Sequence, residues 1–301
     1  MKILFLDIET GQSQALASIG AAFIASYIRR HGHDAALLRV KHDAHIRDVC
    51  RAVEEASPGM VGFSMTTRQF AKAAFVAKEI KKSLDIPIIA GGLHPTFAPL
   101  SVLESGAFDY TCLGEGEEAV CELLANLEAG RGLPAAGIAN IWMKGAERPN
   151  IRPPAAVDLL PFMARDLLEE NHGVIHISTM RGCPSPCAYC AGGAIGRLYG
   201  GKEYIRRRTV AGVLEELRQL RKNAPVNYII FLDDTFTLNK DWVREFCQSY
   251  GQEFGMGFSI NARADTVNPD VISMLAKAGC MHIVYGVESG SKRVREDILN
   301  R

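Results

Sequence analysis

The chain has no apolar run approaching the roughly 20 residues that cross a membrane as a helix. Its opening, Met1-Lys2-Ile3-Leu4-Phe5-Leu6, meets Asp7 at once and is too short for a secretory leader. Neither charge is in excess: Lys plus Arg and Asp plus Glu stand at 34 each in 301 residues. A basic excess is the usual footprint of a nucleic-acid or anionic-membrane partner, and the balance gives no such signal. These absences predict a cytoplasmic protein without a membrane span. A length of 301 residues, 48% of them apolar, is enough for two domains with buried cores.

Cysteine is present at eight positions. Disulfides are rare in the cytosol, so clustered cysteines there point to metal or catalytic use and scattered ones to burial. Cys50, Cys112, Cys121, Cys247 and Cys280 are scattered and receive no role. The other three fall in one stretch, Arg181-Gly182-Cys183-Pro184-Ser185-Pro186-Cys187-Ala188-Tyr189-Cys190. It follows the apolar alternating run Val174 to Met180, so a strand ending in a loop carries all three sulfurs to one rim of a sheet. Three thiolates suit a soft metal centre, and three leave one iron of a four-iron cluster open to an outside ligand. The same cysteines fit a zinc site with a fourth ligand elsewhere, a disulfide framework, or unrelated buried thiols. Spacing alone does not separate iron–sulfur from zinc. Tyr189 before the last cysteine, and the acidic strand ends described below, favour the cluster.

Ahead of this loop, apolar strands alternate with helices. Residues 2–6 form a strand. A loop from Asp7 to Ser13 precedes a helix with Leu16, Ile19, Phe23 and Tyr27 at helical spacing, stopped at Gly32. Strands follow at 35–40, 60–65, 86–90 and 110–113, and helices at 46–56, 70–83, 99–105 and 117–128. This alternation predicts a doubly wound parallel sheet with helices on both faces, which binds ligands at the carboxyl ends of its strands. Those ends read Glu9-Thr10-Gly11, Ser64-Met65-Thr66-Thr67, Gly91-Gly92-Leu93-His94-Pro95-Thr96 and Gly114-Glu115-Gly116-Glu117. Small residues there let backbone approach a bulky ligand closely; ordinary turn glycines are the alternative for any single loop.

Residues 144–165 carry Pro149, Pro153, Pro154 and Pro161, as an extended linker does. After the cysteine loop, Lys202 and Arg206-Arg207-Arg208 read as a solvated face. Thr209 is a candidate N-cap for a helix with Val213, Leu214, Leu217 and Leu220 on its apolar stripe. Strands are expected at 226–232, 257–260 and 281–287, and helices at 241–254 and 269–278, with a last helix starting at Ser291. Polar residues gather at the carboxyl ends of these strands, as in a barrel with its site on that face: Asp233-Asp234, Asn261 to Asp265, and Glu288-Ser289-Gly290.

The Cys-x3-Cys-x2-Cys loop with an aromatic before its last cysteine resembles the cluster loop of the radical S-adenosylmethionine (SAM) superfamily. The resemblance runs over nearly the whole chain and is closest to the branch with an N-terminal cobalamin-binding domain, which includes methyltransferases, ring-forming enzymes and the anaerobic magnesium-porphyrin cyclase. It implies a Rossmann-like cobalamin-binding domain over 1–143, a linker over 144–170 and an incomplete (β/α) radical SAM barrel over 171–301. The family barrel usually has six strands and this chain shows four, so a fragment is expected. By resemblance, Cys183, Cys187 and Cys190 hold a 4Fe-4S cluster whose fourth iron is chelated by SAM. Tyr189, Asp233 or Asp234 (toward the SAM amino group), Asn261, Arg263, Glu288 (toward the ribose) and Ser289 then line the SAM site. Glu9, Thr10, Ser64, Met65, Thr66, Gly91, Gly92, His94, Gly114 and Glu115 fall at the cobalamin site, its nucleotide tail near Ser64 to Thr66 and Gly91-Gly92. Two departures stand out. The Asp-x-His-x-x-Gly motif that ligates cobalt elsewhere is absent, which predicts cobalt without a protein histidine. Asp158-Leu159-Leu160-Pro161-Phe162 resembles the family's Leu-Pro-x-Pro bridge without its second proline.

The implied chemistry is reductive cleavage of SAM to a 5′-deoxyadenosyl radical, with methyl transfer through cobalamin as the first outcome and cyclisation or oxidation as the second. No residue is singled out as catalytic. The implied partners are a small-molecule substrate and a one-electron donor such as flavodoxin or ferredoxin. A non-catalytic cobalamin- or metal-binding module and a zinc protein are the alternatives from other classes.

Overall fold

The computed structural model of the protein describes residues 1–10, 18–131, 134, 136–168, 170, 173–201 and 204–301. Gly11 to Ser13, Leu16 and Lys202 therefore lie outside the described residues. The chain forms two compact units. The first comprises Met1–Pro153 and Pro161–Glu169, the second Pro154–Leu160 and Glu170–Arg301.

In the first unit, strands β1 (Lys2–Ile8), β2 (Asp34–Val40), β3 (Met60–Ser64), β4 (Ile88–Gly91) and β5 (Tyr110–Cys112) alternate with helices α1 (Ile19–Arg30), α2 (Ile46–Ala56), α3 (Thr67–Ser83), the short α4 (Leu93–Phe97) and α5 (Pro99–Glu104), and α6 (Glu117–Glu128). A further strand, β6 (Ile141–Met143), completes a six-stranded sheet in the order β2-β1-β3-β4-β5-β6. All pairs are parallel except β5 with β6. Ile3, Leu4, Phe5, Leu6 and Ile8 are all buried because β1 is central and covered on both faces. The chain reverses between β1 and β3, which makes their carboxyl ends the topological switch point.

The stretch read as a linker is divided between the units. Arg152 donates to Glu118 at 2.8 Å and to Glu122 at 2.5 Å, both on α6. Met163, Ala164, Leu167 and Leu168 are buried, and Ala164 donates its backbone N–H to Ala22 of α1. Asp158 instead bonds the backbone N–H of Thr209 in the second unit.

The second unit contains strands β7 (Val174–Ile177), β8 (Met180–Arg181), β9 (Arg206–Arg207), β10 (Tyr228–Phe231), β11 (Gly257–Ala262) and β12 (Cys280–Tyr285). Its helices are α7 (Ala191–Leu198), α8 (Val210–Asn223), α9 (Lys240–Glu253) and α10 (Pro269–Ala278). β7, β10, β11 and β12 form a parallel sheet in chain order, while β8 and β9 form an antiparallel pair of their own. The helix expected from Ser291 is a single π-type turn, Val294–Ile298. Phe231, Phe236, Phe246, Tyr250 and Phe258 are fully buried and pack ring on ring, Phe231 lying 4.9 Å from Phe236 and 5.6 Å from Phe258. These rings belong to the core of the second unit. β12 is an outer strand, and its Met281 and Val284 are exposed, as is Val287 beyond its end.

Candidate functional site

The cysteine loop is an excursion between β8 and β9. Met180 pairs with Arg207 and Arg181 with Arg206, so both ends of the excursion are clamped before the loop begins. Gly182 turns the chain out of β8 at φ +92°, and a Cβ there would lie 2.7 Å from the Tyr204 carbonyl oxygen. Only glycine fits this position. Within the loop, Cys187 is buried, Cys183 half-buried and Cys190 exposed.

Each of the three sulfurs has its own polar neighbour. The Thr235 hydroxyl, just past β10, lies 3.8 Å from Cys183 Sγ. Arg263 Nη1, just past β11, lies 3.5 Å from Cys187 Sγ. Cys190 is the N-cap of α7, and its sulfur accepts from the Gly192 N–H at 3.4 Å. Thiolates that ligate a cluster are commonly held by such donors, which steady their charge. Among the described residues no group of three or more His, Cys, Asp or Glu is gathered around one ion position. A 4Fe-4S cluster does not require that, since each cysteine binds a separate iron. The donor set fits a thiolate-bound cluster.

The charge run Arg206 to Arg208 is not a solvated face. The Arg207 guanidinium stacks 4.4 Å over Trp242 and donates to the carbonyls of Phe236 at 2.9 Å and Thr235 at 3.3 Å. Arg208 pairs with Glu216 at 2.5 Å, their side chains only 11% and 2% exposed, and also donates to Ser178 O and Gly212 O. Pattern reading failed because the carbonyls and the carboxylate that these cations satisfy lie far away in sequence.

The two aspartates after β10 part company. Asp233 is buried, and its carboxylate accepts from the backbone N–H of Thr179 at 2.7 Å, that of Met180 at 3.1 Å, and the Thr179 hydroxyl. Burial pushes its pKa up, against the pull of the Thr179 hydroxyl and of Arg207. It ties β10 to the segment between β7 and β8. Asp234 is solvent-accessible and has no hydrogen bond or ion pair among the described residues, and partial desolvation by its surroundings raises its pKa. Of the pair, Asp234 has the carboxylate open to an ammonium.

Asn261 donates its amide to the Asp233 backbone carbonyl at 3.1 Å, which ties the ends of β10 and β11 together. Arg263 presents its fork to Asp265, at 3.0 and 2.8 Å. That bond raises the pKa of Arg263 and lowers that of Asp265. The guanidinium expected to meet a carboxylate of SAM thus already meets one, together with the Cys187 sulfur. Glu288 has a left-handed backbone, φ +62°, unusual for a residue with a side chain. Its carboxylate lies 3.5 Å from Arg301, which also donates to the Tyr189 hydroxyl at 2.5 Å. The Ser289 hydroxyl accepts from the Ser291 N–H and serves the local turn. A cavity of about 250 Å³ opens at the ends of β11 and β12, lined by Arg263, Asp265, Tyr285, Val287, Arg295 and Arg301 among others. Sequence reasoning missed Thr235, Arg207, Arg295 and Arg301. Only Thr235 carried a signal, as the third residue after the strand expected at 226–232, whose carboxyl end carries Asp233-Asp234.

In the first unit, parallel pairing brings the four polar loops to one edge of the sheet. Glu9 accepts from the His42 backbone N–H at 3.4 Å and lies 3.8 Å from Arg39. Thr66 caps α3 through reciprocal bonding with Gln69. Gly92 has φ +97°, and a Cβ there would come 2.7 Å from the Met65 backbone N and O. The chain's own packing therefore requires this glycine, whatever ligand sits above it. Thr96 bridges the loops, donating to Gly92 O at 2.7 Å and accepting from Gly114 N at 3.0 Å. The Glu115 carbonyl accepts from the Asn140 amide at 3.1 Å.

His94 is buried and stacked 4.2 Å from Phe70. Its Nε2 lies 3.1 Å from Ser101 Oγ and its Nδ1 3.2 Å from Thr67 Oγ1. The Ser101 hydroxyl already donates to Ala98 O, so it accepts from Nε2–H and Nδ1 accepts from Thr67. With both nitrogens engaged, His94 offers nothing to a metal. Ser64, half-buried at the switch point, has no hydroxyl partner among the described residues. A Cβ on Gly20 of α1 would come 3.3 Å from that oxygen. One open polar atom beside glycine at this edge fits a ligand tail.

Two family models match the chain: the B12 binding domain over residues 13–124 and the radical SAM superfamily over residues 177–301. An uncharacterized methyltransferase of Pyrococcus horikoshii is 32% identical over 296 residues, covering 93% of this chain and 62% of the relative. An anaerobic magnesium-protoporphyrin IX monomethyl ester cyclase of Rubrivivax gelatinosus is 25% identical, covering 93% of this chain and 53% of the relative. The chain thus spans little more than half the length of these relatives. Among solved structures, the cobalamin-dependent S-adenosylmethionine radical enzyme OxsB superposes with a TM-score of 0.78 at 20% identity, covering 98% of this chain and 45% of that one. That likeness is one of fold.

Proposed function

We propose that this chain, which belongs to the radical SAM superfamily and carries a B12-binding domain ahead of its radical SAM core, is the cofactor-binding part of a cobalamin-dependent methyltransferase. The observation that carries the reading is the loop of three cysteines whose sulfurs each have a separate polar neighbour, the Thr235 hydroxyl, Arg263 and the Gly192 N–H. Cys183, Cys187 and Cys190 are the ligands of the 4Fe-4S cluster. When bound, the cluster and SAM supply one-electron reductive chemistry and cobalamin supplies a methyl carrier.

The protein's share is positioning. Asp234 offers an unpaired carboxylate to the SAM ammonium. Asn261 and Asp233 hold the ends of β10 and β11 at a constant separation. Glu288, with its left-handed backbone, would meet the ribose hydroxyls of SAM. At the first sheet, Ser64 and the Gly91-Gly92 turn would hold the cobalamin tail, and His94, with both nitrogens bonded, would not ligate cobalt. Methyl transfer stands ahead of cyclisation because the relative at 32% identity is named a methyltransferase, whereas the cyclase matches at 25%. The substrate is a small molecule and the electron donor a small redox protein.

The test is anaerobic reconstitution with iron, sulfide and hydroxocobalamin, followed by metal counts and a SAM-cleavage assay. About four irons per chain are expected, lost in C183A, C187A and C190A, with cobalt retained through gel filtration. Stoichiometric zinc without iron would sink the cluster reading. Iron without cobalt would reduce the first unit to a scaffold.

A further inference from the structure

Thr235 is 1% exposed, and the one partner of its hydroxyl among the described residues is Cys183 Sγ, 3.8 Å away. A buried hydroxyl needs an acceptor for its proton. Beside a thiolate, which has no proton to give, the hydroxyl is the donor. Its backbone is braced from the other side: Arg207 donates to the Thr235 carbonyl at 3.3 Å while stacked on Trp242 and bonded to the Met180 sulfur at 2.9 Å. Arg207 belongs to β9 and Met180 to β8, the two strands that clamp the cysteine loop. Donor and acceptor are therefore held by one framework.

We propose that Thr235 sets the reduction potential of the iron–sulfur cluster by donating its hydroxyl proton to the Cys183 sulfur. The proposal rests on the reading of Cys183, Cys187 and Cys190 as cluster ligands. A hydrogen bond to a ligating sulfur withdraws negative charge from it, stabilises the reduced cluster and raises its potential. Thr235 acts through the cysteine and is a positioning residue. Its effect belongs to the potential rather than to iron binding, since Cys183 supplies the bond to iron.

T235V is the informative change: valine keeps the shape and removes only the donor. T235S restores the hydroxyl, and T235A is the fallback if valine disturbs the loop. The three variants and the unmodified chain are reconstituted anaerobically without SAM. Iron is counted, and the midpoint potential is followed by electron paramagnetic resonance during a redox titration. The expected result is an unchanged iron count in all, a more negative midpoint in T235V and T235A, and recovery of the original midpoint in T235S. Equal midpoints in the original and valine proteins would overturn the proposal. So would iron loss from both T235V and T235A with retention in T235S, which would make the hydroxyl a prop for the loop. If the unmodified chain holds no iron, the cluster reading itself fails and takes this proposal with it.

Discussion

Adjacent aspartates of the same type should fail in opposite ways. Asp233→Ala removes the acceptor of two backbone N–H groups and one hydroxyl at a site 2% exposed. Each orphaned buried donor costs about 1–3 kcal/mol, and the losses overlap because water enters part of the space. The expected destabilisation is about 3–5 kcal/mol, a large share of the roughly 5–15 kcal/mol that holds a domain together. Asp234→Ala removes an exposed carboxylate with no partner among the described residues, so its stability should change by no more than about 0.5 kcal/mol. Its cost falls on the ligand: a charge-assisted bond to the SAM ammonium is worth about 1.5–3 kcal/mol, or roughly ten- to a hundredfold in affinity. Urea unfolding followed by circular dichroism reads the first effect, and calorimetric titration of the reconstituted protein with SAM reads the second. The reasoning is refuted if the Asp234 variant unfolds as early as the Asp233 variant, or binds SAM as tightly as the original chain.

Two further perturbations probe other parts. His94 is held below its ordinary pKa of about 6.5 by burial, so the unfolded chain takes up its proton first. Stability is then full above about pH 6.5 and declines as pH falls toward the lower folded value. His94→Gln should flatten that acid slope in an unfolding series, leaving the part due to His33, which burial also holds low; an unchanged slope would count against the neutral, doubly bonded ring. Arg208→Ala removes the guanidinium 2.5 Å from the buried Glu216 carboxylate, which should cost about 3–5 kcal/mol in thermal or urea unfolding, whereas replacing both partners by apolar residues should cost much less. A single variant as stable as the double one would show that the pair is not the buried contact described.

The alternation of apolar strands and helices, read along the chain, was enough to place the parallel order and both sheets, because a buried parallel strand is a run of consecutive apolar residues and needs no partner information. It missed β6, only three residues long and antiparallel, and the β8–β9 clamp, whose two strands have two residues each. Such short pairs are made by their partners rather than by a pattern of their own. The cysteine motif was equally legible, since its spacing is local, and it lies within the stretch matched by the radical SAM family model, residues 177–301.

What each neighbouring polar residue does was decided only by the tertiary structure. Sequence presents Asp233 and Asp234 as equals; folding turns one inward onto Thr179 and leaves the other open. Arg207 looks like part of a solvated run and lies instead on Trp242, 35 residues on. Gly92 looks like room for a ligand and is required by the Met65 backbone. Hydrophobic periodicity is a property of a segment and can be read from it, but a hydrogen bond belongs to two segments that meet only once the chain has folded.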